Sequence, residues 1–99
     1  MVELHTGAYC EAVRHRSPEA PALLEKIRHA AAEAEAMGLE VHAGHGIDYE
    51  TVGAIAAVPQ VVELNIGHFL IGEAIFIGLT AAIQRMRALM DEARAQVAA

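Results

Sequence analysis

The chain has 99 residues and a mass of 10.5 kDa, which predicts one small domain over residues 1–99. Its 55% apolar and 20% charged content excludes a disordered protein. Seven Lys and Arg against thirteen Asp and Glu give a net charge of −6. Because phosphate backbones and anionic lipids repel such a chain, we expect neither nucleic acid nor a membrane as its partner. The single cysteine, Cys10, cannot form an internal disulfide and predicts a reducing, cytoplasmic location.

Strand and helix patterns alternate along the chain. Three segments near residues 2–6, 40–44 and 62–66 alternate apolar and polar residues, which predicts β-strands. Glycine ends the second segment and directly follows the other two. Apolar residues recur every three or four positions between and after them. This spacing predicts helices near residues 18–37, 48–57, 68–75 and 80–96. A strand followed by a helix three times in succession predicts an α/β fold, with parallel strands and right-handed crossovers.

One face of the predicted sheet is polar on all three strands. Strands covered by helices on both faces are normally near-continuous apolar runs, so this face needs an explanation. Two interpretations stay open: the face meets water, or it lines the hydrated interior of a barrel. The polar residues at alternate strand positions are Glu3, His5, Glu40, His42, Glu63 and Asn65.

Glycine and histidine directly follow two of the predicted strands, as Gly44-His45-Gly46 and Gly67-His68. These residues would lie at the carboxyl edge of the sheet, where parallel α/β folds bind ligands. Glycine lets backbone N–H groups approach an anion, and the helix beginning near His68 would point its positive end at the same place. The pattern therefore indicates a phosphate site. Six histidines raise the alternative of a metal, but their spacing does not resemble a zinc site, and no metal is expected.

Three segments resemble the pyridoxine 5′-phosphate synthase family: VELHTGAYCEA, VHAGHGIDYETVGAIAAVPQVVELNIGHFLIGEAIFIGL and MRALMDEAR. The resemblance runs in order through essentially the whole chain. It implies the last three βα units of a (β/α)₈ TIM barrel with a hydrophilic interior. It also implies an enzyme, a transferase that joins 1-deoxy-D-xylulose 5-phosphate to 3-amino-2-oxopropyl phosphate. The product is pyridoxine 5′-phosphate, and the family needs no metal or organic cofactor.

The resemblance also implies roles for five residues of this chain. His45 matches the family's proton-donating histidine, and imidazole suits that role because it exchanges protons near neutral pH. Glu3 matches a carboxylate that stabilises charged intermediates. Gly46 matches a backbone contact to the phosphate of the amino-ketone substrate, and the cradle for the same phosphate is matched by Gly67 and His68.

The chain is shorter than the family's barrel, whose fold typically takes about 250 residues. The family's other proton-transfer residues and its arginine clamp for the second substrate lie on strands absent from this sequence. We therefore expect the isolated chain to be inactive. Because three parallel strands leave two unpaired edges, we also expect homo-oligomers. The alternatives are a non-catalytic folding or assembly module and a phosphate- or metal-binding protein of another barrel family.

Overall fold

A computed structural model describes residues 1–98. Three strands form one parallel sheet in the order β1-β2-β3, and helices connect each neighbouring pair. The predicted α/β class with parallel strands is confirmed. The elements are, in chain order, β1 (Val2–His5), α1 (Gly7–Arg14), α2 (Ala20–Ala36), β2 (Val41–Gly44), α3 (Val52–Ala56), β3 (Val61–Asn65), α4 (His68–Ile77) and α5 (Leu79–Ala98).

Two segments differ from the sequence-based prediction. Helix α1, which only Thr6 separates from β1, was not among the predicted elements. Residues 48–51 were predicted to be helical, and they form a turn that precedes α3. In this turn Asp48 Oδ1 accepts hydrogen bonds from the Thr51 amide at 2.9 Å and the Thr51 hydroxyl at 3.0 Å, and the Asp48 amide donates to Thr51 Oγ1 at 2.9 Å. These side-chain bonds close the turn as a capping residue closes the start of a helix, and α3 begins directly after the turn.

The apolar face of the sheet packs against the helices and forms the core. Its buried hydrophobic side chains are mainly aliphatic, which agrees with the small aromatic content of the sequence, and the polar residues Thr6 and Thr51 are also fully buried. Burying one branched aliphatic side chain contributes about 1.5–3 kcal/mol. The aliphatic residues that are at most 2% exposed are Val41, Ala43, Ile47, Val52, Ile55, Val58 and Val61, with Ala31 from α2 and Ala82 from α5.

A bulge at the start of β3 sets which of its side chains face the core. The register shift places His42 opposite Glu63 and leaves Val62 as an extra residue on β3. Because side chains alternate between faces at each strand residue, the extra residue returns Glu63 and Asn65 to the polar face and Leu64 to the core face. The polar face predicted from the sequence is therefore continuous across all three strands.

Helix α4 is poorly covered by the rest of the fold. It has no buried residue, and Ile75 and Phe76 are 80% and 82% exposed. Among the helices of residues 1–98, none is both long enough and apolar enough to cross a membrane. Helix α4 is thus a short surface helix with an uncovered apolar side.

Candidate active site

One cavity opens at the carboxyl edge of the sheet, with a volume of about 830 Å³. It brings together all five residues to which the sequence assigned a site role. The ends of the three strands and the loops after them supply its walls. The polar and glycine residues that line it are Glu3, His5, Arg14, Gly44, His45, Gly46, Asp48, Asn65, Gly67 and His68.

His45 lies in a strained turn immediately after β2. Its φ is 87°, in the left-handed region, and Gly46 follows with a φ of 81°. Left-handed backbone costs a residue with a side chain about 1–2 kcal/mol, and such strain is typical of functional sites. The buried hydroxyl of Thr6 holds the turn, lying 2.9 Å from the Gly44 carbonyl oxygen and 2.7 Å from that of His45. Because C=O and N–H point in opposite directions across a trans peptide, the Gly46 N–H points away from Thr6.

The imidazole of His45 stacks on that of His5. The ring centroids are 4.4 Å apart and the planes differ by 25°. Gly7 leaves the space for this pair, since a Cβ there would lie 2.7 Å from both His45 Cδ2 and His5 Cε1. The stack fixes the plane of the His45 ring against the β1 side of the cavity.

The carboxylate of Glu3 crosses the central strand to reach β3. Asn65 Nδ2 donates a hydrogen bond to Glu3 Oε1 at 2.8 Å. The two side chains pass over Gly44, where a Cβ would lie 2.7 Å from that oxygen and 3.0 Å from Asn65 Cβ. Glycine at position 44 is therefore what allows the carboxylate to be held at this edge of the sheet.

A second polar cluster lies on the same sheet face, two residues further from the carboxyl edge. The ring nitrogens of His42 contact two carboxylates, Nε2 with Glu40 at 2.9 Å and Nδ1 with Glu63 at 3.0 Å. Both nitrogens are thus engaged. Within residues 1–98, no group of three or more His, Cys, Asp or Glu side chains is arranged to hold a metal ion.

The start of α4 forms one wall of the cavity. Gly67 is its N-cap residue and no side chain caps the helix. The first intrahelical bond runs from the Ile71 amide to the Gly67 carbonyl at 3.1 Å. The amides before Ile71 consequently have no helical acceptor, and the positive end of the helix dipole lies among them. This wall can bind an anion.

Cys10 lies directly behind the turn of Gly46 and is fully buried. Burial raises the pKa of its thiol above the ordinary value of 9.0, and hydrogen bonds with Thr51 and Thr6 offset only part of this effect. The thiol is therefore neutral at pH 7 and is not a nucleophile. Its role is to fill space beneath the site.

Three polar residues of the site were missed from the sequence, Thr6, Arg14 and Asp48. Arg14 ends α1, and its Nη1 lies 3.1 Å from the Gly46 carbonyl oxygen and 3.6 Å from Asp48 Oδ2. Its partners are 32 and 34 residues away along the chain, so no local pattern could indicate the contact. A signal for Thr6 existed, because a threonine between a strand and a glycine is well placed to bond the neighbouring strand end.

Comparison with known proteins identifies relatives of the whole chain. The family model of "Pyridoxal phosphate biosynthesis protein PdxJ" matches residues 1–92. The chain is 65% identical over 100 residues to the pyridoxine 5′-phosphate synthase of Caulobacter sp. (strain K31). This alignment covers 100% of this chain and 40% of that protein. It is 62% identical over 98 residues to the Caulobacter vibrioides (strain NA1000 / CB15N) synthase, covering 98% of this chain and 39% of the relative.

A third relative is the pyridoxine 5′-phosphate synthase of Cereibacter sphaeroides (strain ATCC 17029 / ATH 2.4.9). It is 64% identical over 95 residues, which cover 95% of this chain and 38% of the relative. The chain thus spans about 40% of the length of the curated relatives it matches. This share and the parallel three-stranded sheet agree with the predicted partial (β/α)₈ barrel. The chain therefore belongs to the PdxJ family of pyridoxal phosphate biosynthesis proteins.

Proposed function

We propose that this chain supplies the proton donor and a phosphate site of a pyridoxine 5′-phosphate synthase. The reaction joins 1-deoxy-D-xylulose 5-phosphate to 3-amino-2-oxopropyl phosphate and releases inorganic phosphate and water. The observation that supports this most strongly is the meeting of Glu3, His45, Gly46, Gly67 and His68 in one cavity. The Caulobacter and Cereibacter relatives carry the name of this enzyme.

His45 acts as the general acid in this proposal. Condensation of an amine with a ketone gives a carbinolamine, whose hydroxyl leaves as water only after it receives a proton. An imidazolium N–H at the cavity mouth can donate that proton, and the neutral ring can take one up again in a later step. The strained turn and the stack on His5 support the role because they fix the direction of the ring.

Glu3 stabilises the positive charge of the iminium that forms when water leaves. The Asn65 amide holds the Glu3 carboxylate in one orientation, so the negative charge is already in place at the strand end when the iminium forms. The amides at the start of α4 and the Gly46 amide bind the phosphate of the amino-ketone. A helix N-terminus and glycine backbone together form a typical phosphate site.

We further propose that the 99-residue chain is inactive alone, that its partners are phosphorylated small molecules, and that it is cytoplasmic and self-associating. The net charge of −6 supports the absence of nucleic-acid partners. The uncovered apolar side of α4 supports self-association. The alternative of a non-catalytic folding module differs in one testable respect, which is the chemistry of His45.

Complementation tests this proposal. The chain is mixed with the N-terminal portion of the Caulobacter sp. relative and both substrates, and pyridoxine 5′-phosphate is measured by chromatography. We expect product from the mixture but not from the chain alone, and a loss of at least about 100-fold for His45→Gln. The matched control is His29→Gln, since His29 is an exposed histidine on α2. Product from the chain alone contradicts its inactivity, and full activity of His45→Gln contradicts the general-acid role.

A further inference from the structure

We propose that Arg14 is a substrate-binding residue whose guanidinium supplies the permanent positive charge for the phosphate group bound in this cavity. The inference rests on the proposed function and extends it. It adds a residue from α1, outside the five positions to which a role has been assigned.

Arg14 lies in the wall of the candidate phosphate site. Its side chain lines the same cavity as Gly46, Gly67 and His68. It is anchored there by Nη1, which donates to the Gly46 carbonyl oxygen at 3.1 Å. The side chain is 45% exposed, so the guanidinium is held by this bond and is still accessible to a ligand.

The charge of the cavity favours a cationic group at this position. A phosphomonoester has a charge of about −1.5 to −2 at pH 7, and it must bind to a chain whose net charge is −6. The cavity is also lined by the carboxylates of Glu3 and Asp48. Among the residues that line it, Arg14 alone has a positive charge that does not depend on pH. Without Arg14, the backbone amides would bind the phosphate with partial charges only.

Two nitrogens of the guanidinium remain available to bind an anion. Arginine has five N–H donors in one plane, and Nε with Nη2 forms an edge that matches two oxygens of a phosphate. Nη1 is used by the Gly46 carbonyl and faces Asp48 Oδ2 at 3.6 Å. Within residues 1–98, neither Nε nor Nη2 of Arg14 has a hydrogen-bond partner. The bidentate edge is therefore available while the opposite nitrogen holds the group in place.

A carboxylate oxygen of Asp48 faces the guanidinium of Arg14. The Oδ1 of Asp48 is committed to the turn with Thr51, so its Oδ2 is fixed in front of Arg14. An ion pair at 3.6 Å with a half-exposed arginine is worth little in stability. The competing explanation, that Arg14 serves only to close the loop, therefore predicts a small effect on stability and none on anion binding.

Phosphate titration of the 99-residue chain separates the two explanations. Binding of inorganic phosphate is measured by isothermal titration calorimetry and by ³¹P nuclear magnetic resonance. We expect Arg14→Gln to weaken binding about tenfold, the loss that corresponds to one charged hydrogen bond. Arg14→Lys keeps the charge but not the bidentate edge, so its affinity should lie between the two. The control is Arg16→Gln, which removes the same charge from an exposed residue that does not line the cavity and should stay within about twofold of wild type.

The outcomes distinguish this inference from the proposed function. If the wild-type chain binds phosphate and Arg14→Gln binds it equally well, Arg14 is not a binding residue and the phosphate site stands. If Arg16→Gln weakens binding as much as Arg14→Gln, the effect is one of net charge and the inference is wrong. If wild type shows no saturable binding, both proposals fail. Circular dichroism of each variant, together with partial rescue by Arg14→Lys, excludes loss of the fold as the cause.

Discussion

At the scale of single residues, the site depends on glycine at position 44, because a side chain there would fill the space that the site uses. The Glu3–Asn65 hydrogen bond spans the whole sheet, and it passes through the volume that a Cβ of residue 44 would fill. We predict that Gly44→Ala lowers the free energy of unfolding by about 1–3 kcal/mol. The reasons are that Glu3 must give up its partner and that the added carbon would lie 3.0 Å from the Asn65 backbone oxygen. Urea denaturation followed by circular dichroism measures the effect.

Gly53→Ala is the matched control for this substitution. Gly53 lies in α3, and a Cβ there would meet nothing within 4 Å. Alanine in a helix is favoured over glycine by about 0.5–1 kcal/mol, so this variant should be more stable than wild type. Equal stability of the two variants would show that position 44 tolerates a side chain and that the space above it is not needed.

At the scale of elements, one arginine ties the last helix to the end of α3 and the start of β3. Arg94 on α5 donates from Nε to the Ala56 carbonyl at 2.9 Å and from Nη2 to those of Val58 at 3.2 Å and Val61 at 2.5 Å. We predict that Arg94→Met costs about 2 kcal/mol or more in free energy of unfolding, because three carbonyls lose a charged donor. Thermal and urea denaturation measure this loss.

The control lies on the same helix. Within residues 1–98, Arg87 forms a salt bridge with Asp91 alone, at 3.1 Å, and both side chains are exposed. Exposed pairs of this kind contribute about 0–1 kcal/mol, so Arg87→Met should change stability little. A similar cost for both variants would mean that α5 responds to any loss of arginine, which would contradict a specific role for Arg94.

The same elements show what the sequence could and could not predict. The strands were predictable because alternation and terminal glycines are local patterns. Helix α1 was not predicted: its eight residues give only two turns and no side chain caps it at Thr6, whereas the shorter α3 follows a turn that Asp48 closes. The bulge at Val62 was also hidden, since it is defined by pairing with β2 and not by the residues of β3. Features set by another part of the chain leave no mark in the local pattern.

At the scale of the whole molecule, the five assigned site residues meet because parallel strands place all their carboxyl ends at one edge. That much follows from residue order. The direction of each group does not, since it depends on distant contacts: Thr6 sets the turn of His45, and Asn65 sets the Glu3 carboxylate. Position was therefore predictable for the site, and orientation was not.

The uncovered apolar surface is a property of the molecule as a whole. Ile71, Ile75 and Phe76 on α4 are 64%, 80% and 82% exposed. Because Ile71 and Ile75 are four residues apart, they lie on the same side of the helix. Contiguous apolar surface of this kind is typical of protein interfaces, and a second copy of the chain offers the same surface by symmetry. We predict that the chain associates with itself and that Ile75→Glu weakens the association about tenfold or more, since burial of one isoleucine contributes about 1.5–3 kcal/mol.

Sedimentation velocity over a range of concentrations measures this association. Met37→Glu is the control, because Met37 is 72% exposed at the end of α2 and the substitution adds the same negative charge. If net charge alone keeps copies apart, both variants will shift the equilibrium equally. If α4 is the contact surface, only Ile75→Glu will shift the equilibrium. The reason is that only the carboxylate at position 75 must lose its hydration when two copies associate. A wild-type chain that stays monomeric at every concentration would show that the exposed face of α4 does not bind a second copy.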